Sequence, residues 1–253
     1  FAALAAGFGW RMALVVAAGV IALLAAPLLN IGAGMLAASS DDPPPMQSRG
    51  ENRAALHRAF RRREFWLIAL AMALMGFNHA ILIAHILPIL ADRGASPAAA
   101  VAAASLIGPS QVAGRLLLMR FEAYIAPASA AFWTIATAVG ASALLLAAGA
   151  SPLLVFAFAL AQGGAIGVVS ILRPVLMLEH LGRTAFGAIS GRAAVIYLVS
   201  AAAAPFLGAL IWKAGGYSAV IATALACALA ALALAIFLRQ YAISPPDHAS
   251  GLR

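Results

Sequence analysis

Two arginines stand where an arginine is expensive. Arg173 and Arg192 lie inside long runs of Ala, Leu, Val and Ile that contain no Asp or Glu. A guanidinium in such surroundings needs water, backbone carbonyls, an anionic ligand or a carboxylate from elsewhere. The same class of run holds Gln162, Asn78 and Gln111, whose amides can orient a bound solute by hydrogen bonds. It also holds His79 and His85, candidates to carry a coupling proton because a free imidazole changes charge near neutral pH. The plainer reading of each histidine is a packing or interfacial residue. Arg173 stands close enough to the end of its run to reach the headgroups by snorkelling. Arg192 lies deeper, roughly 12 Å in at helical rise.

Spacing groups some of these residues. Gln162 and Arg173 are eleven residues apart, which places them within about 20° of each other around a helix. Ser170 falls within about 80° of both, so one face carries all three. Asn78 and His85, seven apart, also share a face, and Asn78 and His79 fall near the middle of their run. Gly163 with Gly167, and Gly187 with Gly191, form small-xxx-small pairs of the kind that lets helices approach closely.

The elements that must position these groups are membrane spans. The chain has 253 residues, is 64% hydrophobic with a mean hydropathy of +1.00, and only 9% of it is charged. A soluble domain carries roughly 25% charge. That composition excludes an ordinary soluble enzyme, a disordered chain and a disulfide-built secreted domain. The single cysteine, Cys227, allows no internal disulfide and no cysteine metal site. Seven apolar stretches are long enough to cross a bilayer, at about 12–30, 65–90, 97–118, 126–148, 152–178, 184–212 and 217–238. The expected fold is therefore all-α, a polytopic membrane helical bundle. The first stretch, with Arg11 ahead of it, resembles a secretory signal peptide, but its length favours a span. The opening residue is Phe1 rather than Met, which reads as a start within a longer protein. Residues 31–64 form a polar linker with Asp41-Asp42-Pro43-Pro44-Pro45 and then Arg49, Arg53, Arg58, Arg61, Arg62 and Arg63. Its last part, 53–64, reads as a short basic helix lying on the headgroups.

Charge gives an orientation. With the linker in the cytosol, eleven basic residues fall inside and three (Arg11, Arg93 and Lys213) outside, with Arg173 and Arg192 within spans. Phe1 is then outside and Arg253 in the cytosol. The net charge of +8 reflects this positive-inside bias, so nucleic acid is not an expected partner. In the six later spans the order is polar, polar, apolar, twice over, which reads as two three-helix units. His-Glu-x-x-His, Gly-x-Ser-x-Gly and a phosphate-binding glycine loop are absent, so the expectation is no enzyme, no metal and no cofactor.

This layout resembles the second half of a major facilitator superfamily transporter together with the last helix of its first half. Gly9-Trp10-Arg11 is similar to the stretch between the family's fifth and sixth helices. The basic linker resembles the loop joining the two six-helix bundles, and the six later spans resemble helices seven to twelve. The resemblance divides the chain into 1–30, the last helix of an N-terminal bundle; 31–64, the linker; 65–239, the C-terminal bundle; and 240–253, a cytosolic tail. One departure is at Gly114-Arg115, which stands at the family's loop motif without its Asp, so Arg115 is expected to be a gating or structural residue. The resemblance implies secondary active transport across the inner membrane by alternating access. Arg173, Arg192, Gln162, Asn78 and Gln111 would bind a small anion such as a monocarboxylate, and missing N-terminal helices would complete the cavity. Efflux of drug-like compounds and a non-transporting scaffold role are the alternatives.

Overall fold

A backbone surrounded by hydrocarbon must satisfy its own N–H and C=O groups, and an apolar run does so by coiling into helix. The computed structural model describes residues 2–39, 49–151 and 153–243. The described residues form eight α-helices: α1 (Ala2–Ser39), α2 (Arg49–Arg61), α3 (Arg63–Ala84), α4 (Ile86–Asp92), α5 (Pro97–Phe121), α6 (Pro127–Ala147), α7 (Leu153–Leu181) and α8 (Phe186–Ile243). Among the described residues there is no strand, and six helices are long and apolar enough to span a bilayer. The chain is an all-α polytopic membrane helical bundle.

Helix ends fall where the sequence changes chemistry. Pro97 opens α5, and the Ser96 hydroxyl accepts from the Ala99 amide at 3.3 Å. Pro127 opens α6. The span expected at 65–90 is α3 followed by the short α4, with His85 leaving helical geometry at φ −114°, ψ 17°. The last two expected spans are the arms of α8, 186–214 and 217–243. They are separated at Gly215 (φ −153°) and Gly216 (φ +66°), the latter a left-handed conformation that glycine adopts without steric cost.

The chain divides into two compact units, 1–47 and 48–253. In the first, α1 breaks at Gly9 (φ +80°) and then runs to Ser39, beyond the end expected at residue 30. The Asp41–Pro45 stretch, Phe1 and the tail with Arg253 lie outside the described residues.

In the second unit, α3 packs on α8 and more lightly on α7, α5 packs on α7, and α6 lies against α7 and α8. Thus the first helix of each three-helix set, α3 or α7, is paired with the second helix of the other set. Glycines close both seams. At Gly76 an added Cβ would come 2.6 Å from the Tyr197 ring, and at Gly208 2.7 Å from His85 Nε2. On the other seam Gly114 faces Gly164, Gly163 faces Ile107 and Ser110, and Gly167 faces Gln111. The Gly163–Gly167 pair therefore serves as expected. Gly187 and Gly191 do not: no described residue lies within 4 Å of where their Cβ atoms would be.

Two apolar cores follow one another along the bundle. One gathers Phe65, Ile68, Met72, Met75, Ile135 and Leu176. The other gathers Ile81, Leu82, Leu90, Leu145, Phe158 and Ile221. The first core lies toward the end that carries Arg63, Arg120, Arg183 and Arg239, called here the basic end. Arg93 and Lys213 lie at the opposite end. There Arg93 donates to the Leu146 carbonyl (3.3 Å) and the Ser218 hydroxyl (2.6 Å), tying three segments together. At the basic end α2 packs on α3 and α8 with Ala55 and Ala59 buried, while Arg53, Arg58 and Arg61 are exposed. The side of this helix that carries Ala55, Leu56 and Ala59 thus packs on the bundle, while Phe60 is exposed.

Candidate functional site

Four segments converge on a hollow of about 280 Å³. α3 supplies His79, α5 supplies Gln111 and Arg115, α7 supplies Ser170 and Arg173, and the first arm of α8 supplies Tyr197. Gln111 and Arg115 are four apart and Ser170 and Arg173 three apart, so each pair shares a helix face. A second hollow of about 300 Å³, between α7 and α8, shares Ser170 and Arg173 and adds Pro174, Met177, Ser190 and Gly191. Among the described residues, neither is lined by Asp or Glu.

Each polar group has a definite setting. The Arg173 guanidinium lies over the Tyr197 ring, 4.7 Å from its centroid, a cation–π contact. Tyr197 can occupy that place because Gly76 has no side chain to meet its ring. Arg115 Nε donates to the Gly167 carbonyl at 3.3 Å, and the Ser170 hydroxyl donates to the same oxygen at 2.7 Å. His79 Nδ1 is buried and has no hydrogen-bond partner among the described residues. The hollow therefore offers two guanidinium groups, an amide, a hydroxyl and an imidazole. This set is rich in donors, carries net positive charge, and suits an anion.

Of the residues singled out by sequence, the structure brings together Arg173, Gln111, His79 and Arg115. Asn78 and Gln162 lie elsewhere, each 0% exposed in the protein interior. Gln162 Nε2 donates to Asn78 Oδ1 at 2.8 Å, and Asn78 Nδ2 donates to the Ala224 carbonyl (2.8 Å) and the Ser142 hydroxyl (3.1 Å). This network joins α3, α6, α7 and the second arm of α8 where the two apolar cores meet. Gln162 and Arg173 share a face, as their spacing predicts, but they stand about 16 Å apart along the axis. The face is covered at one level and open at the other.

His85 also lies apart from the hollow. Its Nε2 is 3.3 Å from the Pro205 carbonyl and its ring is 6.4 Å from that of Tyr217. Arg192 is exposed on the surface of this unit and lines neither hollow, although its neighbours Ser190, Gly191 and Ala193 line one.

Sequence reasoning missed Tyr197 and Gly76 as parts of the site. Tyr197 was visible as a polar-tipped aromatic in an apolar span. Nothing in one dimension pairs it with Arg173 on the preceding helix. Comparison with family models and with curated proteins finds no match to this chain.

Proposed function

We propose that this chain is part of a secondary transporter that moves a small anion, such as a monocarboxylate or an oxyanion, across the inner membrane by alternating access. The observation that carries the reading is the hollow in which Arg115 and Arg173 face Gln111 and His79, with no carboxylate among the described residues that line it. Arg173 is the principal anion contact, because its guanidinium is held over the Tyr197 ring and lines the hollow. Arg115 adds charge and gates the hollow, Gln111 orients the solute, and His79 is the site for a coupling proton. Asn78 and Gln162 hold the helices that frame the hollow. The basic end faces the cytosol, following the positive-inside bias.

The test uses the full-length protein in proteoliposomes with radiolabelled monocarboxylates, dicarboxylates, sulfate and phosphate, and with drug-like cations as a contrasting panel. Arg173→Gln is expected to cut accumulation of the transported anion at least tenfold, with partial recovery in Arg173→Lys. Arg192→Gln, outside the hollow, has a smaller effect. Full activity in Arg173→Gln overturns the role given to it. Transport of the cations alone favours drug efflux, and transport of nothing favours a scaffold.

A further inference from the structure

The outer surface of the basic end repeats one arrangement. Between α3 and the second arm of α8 lies a groove of about 370 Å³ lined by Arg63, Trp66, Leu67 and Phe237. Between that arm and α6 a groove of about 280 Å³ is lined by Phe132, Ile236, Arg239 and Gln240, with Arg239 stacked over Phe132 at 5.6 Å. Between α5, α6 and α7 a third, of about 350 Å³, is lined by apolar groups that include Phe121 and Trp133, and Arg120 is stacked over Phe121 at 5.7 Å. Each combines an apolar trough, an aromatic ring and an arginine at the same end of the bundle.

The first groove is the most completely built. The Trp66 indole is fixed by donation from Nε1 to the Phe60 carbonyl at 2.9 Å and by edge contact with Phe65, yet it is 43% exposed. Phe237, on the facing helix, is 54% exposed. Arg58, Arg61 and Arg62 stand exposed on and after α2, and Glu64 is paired with Arg62 at 3.4 Å. An apolar trough at the level of the headgroups receives an acyl chain, and clustered arginines at its mouth favour a headgroup with net negative charge.

We infer that the groove between α3 and the second arm of α8 binds an anionic phospholipid. One acyl chain lies along Trp66, Leu67 and Phe237, and the phosphate lies against Arg63. The site is separate from the hollow, and the inference does not rest on the transport reading.

The experiment measures fluorescence of the full-length protein with Trp66 as its sole tryptophan, in detergent micelles doped with brominated lipids. Brominated phosphatidylglycerol is expected to reach half-maximal quenching at a mole fraction at least fivefold lower than brominated phosphatidylcholine with the same chains. Arg63→Gln is expected to narrow that preference to within twofold, while Arg63→Lys retains most of it. Phe237→Ala should weaken quenching by both lipids. Equal quenching by the two lipids in the parent, or an undiminished preference in Arg63→Gln, overturns the inference. So does loss of the preference in Arg58→Gln/Arg61→Gln alone, which assigns it to the diffuse charge of α2. Relief of quenching by soluble glycerol phosphate also overturns it, since the site would then recognise a free phosphate rather than a lipid.

Discussion

Asn78 and His79 are consecutive residues on α3, yet they belong to opposite kinds of polar environment. Asn78 uses both its amide donors and its carbonyl oxygen in a sealed network with Gln162, Ser142 and Ala224. His79, about 100° further round the helix, faces the hollow with Nδ1 unpartnered among the described residues. The sealed network fixes how four segments meet, and among its side-chain atoms only Gln162 Oε1 has no partner among the described residues. The hollow leaves charge and hydrogen-bonding capacity unspent. Polarity in a span is thus two signals, distinguished by whether each group is already satisfied from within.

The largest effect should come from the seam beneath the hollow. Gly167 faces the Gln111 backbone, and its carbonyl receives both Arg115 and Ser170. Gly167→Leu is expected to destabilise the bundle by more than about 3 kcal/mol, because a backbone cannot yield as a flexible side chain does. Loss of the monodisperse peak on size exclusion in detergent would show it. Asn78→Leu should cost about 2–3 kcal/mol, read as a lower midpoint of thermal or SDS unfolding, since it strands the Gln162 amide in the interior.

The double variant Asn78→Leu/Gln162→Leu should lose less than the sum of its singles, by about 1 kcal/mol or more, because removing both partners leaves no orphan between them. Strict additivity in that cycle would break the view of the network as one unit. In the hollow the effects are smaller. Tyr197→Leu should lower stability by no more than about 1 kcal/mol, the cation–π contact being its main polar loss. His79→Leu is expected to leave the unfolding midpoint unchanged or slightly raised, because it removes a buried nitrogen without a partner. A loss there as large as that for Asn78→Leu would erase the distinction between the two regions.

Much of this architecture is legible in one dimension. Lipid imposes helix on any apolar run of sufficient length, so the spans and their breaks near Arg93, Arg120, Gly149, Arg183 and Lys213 can be read directly. Helical periodicity also puts Ser170 and Arg173 on one face, and it brings Gln111 and Arg115 to a common side. What periodicity cannot supply is the identity of the neighbouring helix at each level. That is why Asn78 and Gln162, read as solute contacts, lie in the interior network, and why Gly187 and Gly191 make no seam. The stacking of Tyr197 on Arg173 depends on a gap at Gly76 in a third helix, and no local pattern encodes such a coincidence.

The break at Gly215–Gly216 joins the two arms of α8 with no loop between them. The segment at the join, 212–218, carries a single charge at Lys213. Gly216 holds a left-handed conformation (φ +66°) that an L side chain adopts only under strain, so a substitution at this one position would act on both arms at once.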